Sequence, residues 1–183
     1  MHQPANQAFE SLLPKQMSVL RAFGEQGVEF TIVGGYAMRC IGHLRLTHDL
    51  DIVIKQSNEN AARIRRSFEK LPHGGTAALE EFLLLPQKKL AWYSVELFST
   101  MRGFLYAEIE KESLLHQVQE LHVRTMSLAH MKRAKKLALS APDRHEKKAI
   151  DKTDLAFLRA KKRGLRFPSS EHAEVIPLVS DVL

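Results

Sequence analysis

A pair of aspartates two positions apart is the feature of this sequence with the clearest chemical meaning. Asp49 and Asp51 alternate with Leu50 and Ile52, which is the period of a β-strand and predicts that both carboxylates project from one face. Two carboxylates held this close repel each other unless a proton or a hard cation such as Mg²⁺ compensates their charge. The spacing therefore predicts a magnesium site on a strand spanning His48–Lys55.

A third acidic residue is needed if the site is to hold two cations. A two-metal site keeps its ions about 3.5–4 Å apart and stabilises the attacking and leaving oxygens of an in-line phosphoryl displacement. Glu96 is the best candidate, because it lies between apolar residues on a second predicted strand, Tyr93–Phe98. We expect Asp49 and Asp51 to bind both ions, and Glu96 to act as the base or to hold the metal of the nucleophile.

A glycine pair precedes the aspartates, with thirteen residues between them. Gly34 and Gly35 follow Val28–Val33, a β-branched and aromatic run that predicts a buried strand, and they precede a short helix predicted over Tyr36–Ile41. Without side chains in the way, the first N–H groups of that helix can approach a phosphate. The pair predicts the phosphate half of a nucleotide site, although glycine pairs also occur in ordinary turns.

The combined pattern resembles the signature of the DNA polymerase β-like nucleotidyltransferase superfamily. The residues that carry the resemblance are Gly34, Gly35, Arg45, Thr47, Asp49, Asp51 and the apolar-flanked Glu96. The pattern is most similar to that of bacterial abortive-infection-type nucleotidyltransferase toxins and of aminoglycoside and lincosamide nucleotidyltransferases. It extends over about Val28 to Leu158, and includes Met131-Lys132 and the run Asp151-x-x-Asp154-Leu155-x-x-Leu158.

The resemblance implies an α/β (α+β) fold in which a mixed β-sheet is flanked by helices and followed by C-terminal helices. It also implies Mg²⁺-dependent transfer of a nucleoside monophosphate from an NTP to a hydroxyl group. Gly34, Gly35, Arg45, Thr47 and Lys132 would contact the nucleotide, with Lys132 neutralising charge on the leaving pyrophosphate. In the toxin branch the acceptor is often tRNA or a protein, and a toxin–antitoxin setting implies an antitoxin protein as partner.

Two residues depart from the family pattern. Glu96 stands where aspartate is commoner, so its carboxylate reaches one methylene further from the backbone. Ile150 stands where a lysine commonly precedes the acid at Asp151. These departures weaken the metal role of Glu96 and the match of the last helix.

Hydrophobic periodicity predicts the elements around these motifs. The further predicted elements are a helix over Ala8–Gln26 kinked near Pro14, a helix capped by Asn58 and reaching Leu71, a loop at Pro72–Thr76, strands at Phe82–Leu85 and Leu121–Arg124, a turn at Pro86–Lys89, a helix capped by Ser127 and ending at Leu139, and a basic helix over Arg144–Lys162. The sheet therefore has at least four strands. We expect a single domain, with a nucleotidyltransferase core at 1–125 and a helical extension at 126–183, whose tail from Pro168 shows weak periodicity.

The charge of the chain favours a partner that carries phosphate. Its net charge is +6 and its pI is near 9.5, and the excess of Lys and Arg is concentrated in the C-terminal half. The cluster Lys132–Lys136 is open to three interpretations: a solvated helix face, a contact to the triphosphate, or a contact to an RNA backbone. We rank tRNA or another macromolecule above a small antibiotic as the acceptor.

The cysteine and histidine content predicts a cytoplasmic protein without a structural disulfide or a zinc site. Cys40 is the single cysteine, which excludes an intramolecular disulfide, and we expect it in the core. Met1–Glu10 lacks a signal-peptide pattern, and no stretch approaches the roughly 20 apolar residues of a membrane span. His43 and His48 lack zinc-protease spacing, so we expect exposed histidines.

Two other functions fit the same residues. One is a module of the same fold with weak or lost catalysis, kept for binding nucleic acid or for forming a complex, and the other is an antibiotic nucleotidyltransferase. Arg45 and Thr47 serve equally well to pair with a carboxylate and cap a turn as to orient a substrate.

Overall fold

The computed structural model describes residues 4–72, 77–85 and 89–163. The helices within these ranges are α1 (Pro4–Glu10), α2 (Pro14–Gln26), α3 (Gly34–Cys40), α4 (Asn58–Glu69), α5 (Ala77–Leu84), α6 (Tyr106–Lys111), α7 (Leu128–Leu139) and α8 (Lys148–Lys162), with a 3₁₀ helix at Pro142–Lys147. The strands are β1 (Phe30–Ile32), β2 (Leu50–Ile54), β3 (Lys89–Trp92), β4 (Val95–Phe98), β5 (Leu114–Val118) and β6 (Leu121–Thr125).

The six strands form one mixed sheet in the order β3-β4-β2-β1-β6-β5. At its centre β2 is antiparallel to β1 and parallel to β4, while β1 is parallel to β6. Antiparallel hairpins β3–β4 and β5–β6 complete the two sides. The predicted fold class, a mixed β-sheet flanked by helices, is confirmed.

The buried side chains form two clusters on opposite faces of the sheet. Ile52 belongs to the larger cluster, which contains aromatic side chains of α2 and α4. Its neighbour Val53 belongs to the smaller cluster, with Met131 of α7 and Leu158 of α8. Because successive residues of a strand point to opposite faces, α7 and α8 cover the face to which Val53 and Asp51 belong.

The predicted strand at Phe82–Leu85 is wrong, since these residues fall largely in helix α5. Leu79 and Phe82 are its buried residues, three positions apart, as on one face of a helix. A short apolar run carries no period of its own, and here the helix-forming Ala, Leu and Glu residues before it decide the structure.

Two helices begin differently from the prediction. Instead of one kinked helix over Ala8–Gln26, α1 ends at Glu10 and α2 begins at Pro14, whose fixed φ and missing N–H suit a first helical position. Helix α4 is capped by Ser57 rather than by Asn58: the Ser57 hydroxyl accepts a hydrogen bond from the Asn60 N–H at 3.1 Å.

The remaining predictions from sequence are confirmed in part. The strand at Leu121–Arg124 and the helix capped by Ser127 are present, but the last basic helix begins with a 3₁₀ segment instead of regular α-helix at Arg144. Strands β3 and β5 were not predicted. The predicted loop at 72–76, the turn at 86–89 and the tail from Pro168 lie largely or wholly outside the described residues.

Candidate active site

Asp51 and Glu96 lie side by side on neighbouring strands. In the parallel pairing of β2 with β4, the Cα of Asp51 is the register partner of the Cα of Glu96, and paired strands lie about 4.8 Å apart. Both residues alternate with buried apolar neighbours, so both point to the face covered by α7 and α8. Two of the three predicted acids therefore share one face of the sheet.

The third acid, Asp49, lies one residue before β2 and is exposed. Its charge nevertheless reaches Asp51. Burial, and after it the negative charges of Glu96 and Asp49, raise the pKa of Asp51 to about 6, while Lys147 and Lys135 act in the opposite direction. The three acids thus interact electrostatically, and the half-buried Asp51 is the one whose pKa is raised.

A buried amide fixes the backbone just before Asp49 and just before β4. Gln16 of α2 is fully buried, and its Nε2 donates to the carbonyl oxygens of His48 at 2.7 Å and Ser94 at 2.8 Å. Its Oε1 accepts a hydrogen bond from the Tyr36 hydroxyl at 3.2 Å. Nothing in the sequence marked Gln16, but its bonds join α2 and α3 to the entrances of β2 and β4.

The chemistry of these donors suits a hard divalent cation. Carboxylate oxygens are the ligands that Mg²⁺ prefers, and the repulsion that raises the pKa of Asp51 is relieved by a cation. In residues 4–72, 77–85 and 89–163, no three His, Cys, Asp or Glu side chains are already arranged as a metal-ligand set. Glu96 Oε1 accepts from Lys89 Nζ at 2.7 Å, so this oxygen of the carboxylate is already paired with a cation.

Gly34 brings its backbone directly against the Asp51 carboxylate. The Val33 N–H donates to the Asp51 carbonyl at 2.9 Å, and Gly34 then turns away with a left-handed φ of +62°. A Cβ at Gly34 would lie 2.0 Å from Oδ2 of Asp51. Only glycine permits both the backbone conformation and this close approach.

Gly35 makes a second close approach, to Arg45 and Thr47. A Cβ at Gly35 would lie 2.2 Å from the Thr47 hydroxyl and 2.8 Å from Nη2 of Arg45. The structure thus brings both predicted nucleotide-contacting side chains to the first turn of α3.

A buried cluster of charges joins α8 to the loop that carries Arg45. Asp154 has no exposed surface, and its Oδ1 lies 3.1 Å from Nε2 of His43 and 3.2 Å from Nε of Arg45. Its Oδ2 lies 2.6 Å from Nζ of Lys135. The His43 ring stacks on Phe157 with centroids 4.3 Å apart. We call His43, Arg45, Lys135, Asp151 and Asp154 the ionic brace.

The brace corrects one expectation from the sequence and shows contacts of Lys135, Asp151 and Asp154 that the sequence analysis did not predict. His43 is buried rather than exposed. Lys135 also contacts the fully buried Asp151 at 2.8 Å, so a single lysine serves two carboxylates. The available signal was that Asp151 and Asp154 alternate at helical spacing with apolar Leu155 and Leu158, which places acids on a face that packs inward.

The charges of the brace determine the ionisation of Asp154. Burial by itself raises the pKa of this carboxyl, but hydrogen bonds and charges from His43, Lys135 and Arg45 outweigh burial and lower the pKa below its ordinary value. Asp154 is therefore ionised at neutral pH and holds Arg45 beside Gly35.

Lys132 lies among other cations. Loss of solvent and then the charges of Lys162, Lys136, Arg159 and Arg163 lower its pKa. The lysines whose charge acts on Asp51 are instead Lys147 and Lys135.

Cys40 is buried in α3, as predicted, and burial raises the pKa of its thiol to about 12. At that pKa the thiolate is absent at neutral pH. The cysteine is therefore part of the core packing and has no place in the chemistry of the carboxylates.

Replacing Gly34 with alanine tests the close approach at Asp51. The methyl group would displace the Asp51 carboxylate, and we expect Gly34→Ala to lower the free energy of unfolding by about 1–3 kcal/mol more than the matched variant Gly27→Ala. Gly27 has nearly the same φ, +64°, but nothing lies within 4 Å of its added Cβ. Urea denaturation of both variants measures the difference, and equal losses would show that only backbone strain acts at Gly34.

The arrangement as a whole joins a carboxylate pair, a glycine turn in contact with it, and several cations within electrostatic reach. No helix in the described part of the chain combines the length and apolar character required to cross a bilayer. Comparison of the chain with models of known protein families and with curated proteins gives no match.

Proposed function

We propose that the protein is a Mg²⁺-dependent nucleotidyltransferase that moves a nucleoside monophosphate from an NTP to a hydroxyl acceptor. The observation that carries the proposal is the contact of the Gly34 turn with Asp51, beside Glu96 and within the field of Asp49. A turn without side chains can admit phosphate oxygens, and the adjoining carboxylates can hold their cations.

The acidic residues would have two roles in the reaction, binding of Mg²⁺ and acceptance of a proton. Asp49 and Asp51, with Glu96, would hold Mg²⁺, with two ions in the full arrangement, and bound Mg²⁺ would neutralise phosphate charge and acidify the acceptor hydroxyl. The acceptor oxygen forms a bond to the α-phosphorus as the bond to the bridging oxygen breaks and pyrophosphate leaves. Glu96, released by Lys89, would accept the proton of the hydroxyl.

The cations would stabilise the charge that develops on pyrophosphate. The family resemblance assigns this role to Lys132. The lysines whose charge lowers the pKa of Asp51, however, are Lys147 and Lys135. We therefore favour Lys147 and Lys135 for the phosphate charge, and Arg45 and Thr47 for orienting the nucleotide at the first turn of α3.

Calorimetric titration with each Mg–NTP in turn tests the proposal. We expect wild-type protein to bind a nucleotide in the presence of Mg²⁺, and Asp49→Ala and Asp51→Ala to weaken binding at least about tenfold, or about 1.4 kcal/mol. Glu59→Ala, which removes an exposed carboxylate of α4, is the control. Heats that are equal in the wild type and in both aspartate variants would contradict a metal-dependent nucleotide site.

The ion pair between Lys89 and Glu96 favours a second candidate, a module of this fold with weak catalysis. Incubation with labelled NTPs separates the candidates: transfer of label supports the enzyme, whereas nucleotide binding without transfer supports the module. Total tRNA, a protein extract and an antibiotic panel serve as acceptors. Label on tRNA or protein supports a toxin–antitoxin setting with an antitoxin partner, and label confined to small molecules supports an antibiotic nucleotidyltransferase.

A further inference from the structure

Helices α7 and α8 expose cations without exposed carboxylates. The sequence of α7 contains no acidic residue, and the two acids of α8, Asp151 and Asp154, are both fully buried in the ionic brace. The cations left at the surface of the two helices and the α8 C-cap are Lys132, Arg133, Lys136, Lys148, Lys152, Arg159, Lys161, Lys162 and Arg163. We call this surface the cationic face.

The cations converge across the two helices. Lys135 joins α7 to α8, and Lys132 lies one turn before it, where its pKa is lowered by loss of solvent and by cations that include Arg159 and Lys162. On α8, the intervals between Lys148, Lys152, Arg159 and Arg163 are four, seven and four residues, which keeps them on one side of the helix. The face is therefore continuous along α8 and across to α7.

Within the described residues, these cations lack the acidic partners that cations of α4 and its C-cap have. Arg65 and Lys70, on or next to α4, pair with Glu80 and Glu25. Within residues 4–72, 77–85 and 89–163, none of the exposed cations of α7 and α8 forms such a pair. The mutual repulsion is thus uncompensated within the described fold, and a polyanion would relieve it.

The composition of the face selects the class of polyanion. A helix that binds a membrane surface needs an apolar face to insert, but Ile150 is the one large apolar side chain exposed on α7 or α8. The 15 residues of α8 span about 22 Å, a length along which one strand of a duplex carries about six phosphates at about 3.4 Å of helix axis each. A charged strand fits this surface better than a lipid bilayer does.

We infer that the cationic face binds a nucleic-acid strand through its phosphate backbone. Asp154, in the N-terminal half of α8, holds Arg45 beside Gly35, so a strand that follows α8 towards its N-terminus arrives near the glycine turn that contacts Asp51. One part of this inference rests on the proposed function: the acceptor of the nucleoside monophosphate is a hydroxyl group of that nucleic acid. The binding itself requires neither Mg²⁺ nor NTP.

Fluorescence anisotropy with labelled RNA and DNA of one sequence, in EDTA and without NTP, tests the inference. For the wild type, log K should fall with log salt with a slope of magnitude about 2 or more, since each phosphate contact of a single strand contributes about 0.7. The triple variant Lys132→Gln, Arg159→Gln, Lys162→Gln should lower the slope magnitude by about 2 and the affinity at about 50 mM salt by at least about tenfold.

The matched control is Arg65→Gln, Arg66→Gln, Lys70→Gln, which removes the same charge from α4 and the residue that follows it. We expect the control to keep wild-type binding. Equal losses in both triple variants, or no nucleic-acid binding by the wild type, would overturn the inference, as would binding only to phosphatidylserine vesicles. If circular dichroism shows that the triple variant is unfolded, Lys132→Gln and Arg159→Gln are tested singly, each with an expected slope change of about 0.7.

The inference and the proposed function fail in different measurements. Asp51→Ala should bind nucleic acid as the wild type does while losing affinity for Mg–NTP. Nucleic-acid binding without nucleotide binding would therefore contradict the proposed enzyme but support the inference about the cationic face. Nucleotide binding without nucleic-acid binding would contradict only the inference about the cationic face.

Discussion

We expect the free energy of unfolding of the Asp154→Ala variant to be about 3–5 kcal/mol lower than that of the wild type. Removing one partner from a buried ionic cluster leaves the other charges desolvated and uncompensated. Here Arg45, His43 and Lys135 lose their shared acceptor, and Lys135 keeps Asp151. For a protein of this size the loss corresponds to a Tm lower by about 6–20 °C. Urea denaturation measures the free energy and thermal unfolding measures the Tm.

The stability that Asp154 contributes should decrease as the pH falls into the acidic range. Because the folded pKa of Asp154 lies below its ordinary value of 3.8, its contribution is present above that pH and is lost as the pH falls through the folded pKa. The difference between wild type and Asp154→Ala should therefore be constant near neutrality and shrink only below about pH 4. Glu80→Ala, which removes the exposed partner of Arg65, should cost at most about 1 kcal/mol. A loss in Asp154→Ala no larger than that would contradict the brace.

The Asp51→Asn variant should be more stable than the wild type at about pH 8, by up to about 3 kcal/mol. The folded pKa of Asp51 is raised from 3.8 to about 6, mainly by burial and then by Glu96 and Asp49. Folded protein thus binds more protons than unfolded protein between these values, and the free energy of unfolding of the wild type falls as the pH rises through this window. Asparagine keeps the shape of the side chain without its charge.

Urea denaturation at about pH 4 and about pH 8 measures this effect. The gain in Asp51→Asn should be small at the lower pH and full at the higher one. Mg²⁺ should raise the Tm of the wild type more than that of Asp51→Asn, because binding to the folded state stabilises it. Asp49→Asn is the control: this exposed residue should change stability by within about 0.5 kcal/mol. A less stable Asp51→Asn at the higher pH would refute the repulsion at Asp51.

Stabilisation by loss of a carboxylate would also bear on function. A half-buried acid with a raised pKa is a candidate functional group, because functional groups are often held at the expense of stability. A positive result for Asp51→Asn, joined to weaker Mg–NTP binding by Asp51→Ala, would support the proposed nucleotidyltransferase site from two independent measurements.

Short-range patterns were enough to predict some of the site. The two-residue period around Asp51 and Glu96 determines which strand face each acid occupies, and the structure has both on one face. The glycines at 34 and 35 mark a turn for the same local reason, since a left-handed φ suits glycine. At Phe82–Leu85 the predicted strand was wrong, because four consecutive apolar residues show neither the two-residue period of a strand nor the roughly 3.6-residue period of a helix.

Local patterns in the sequence thus determined the turn at Gly34 and the alternation of each strand acid with apolar neighbours, because each depends on neighbours within a few positions. Only the tertiary structure decided that Asp51 is the register partner of Glu96, that Lys135 serves Asp151 and Asp154, and that Asp154 holds His43 and Arg45. These contacts join residues far apart in the chain. Which lysine of α7 turns inward depends on how that helix packs against α8, and the local spacing of Lys132, Lys135 and Lys136 contains no such information.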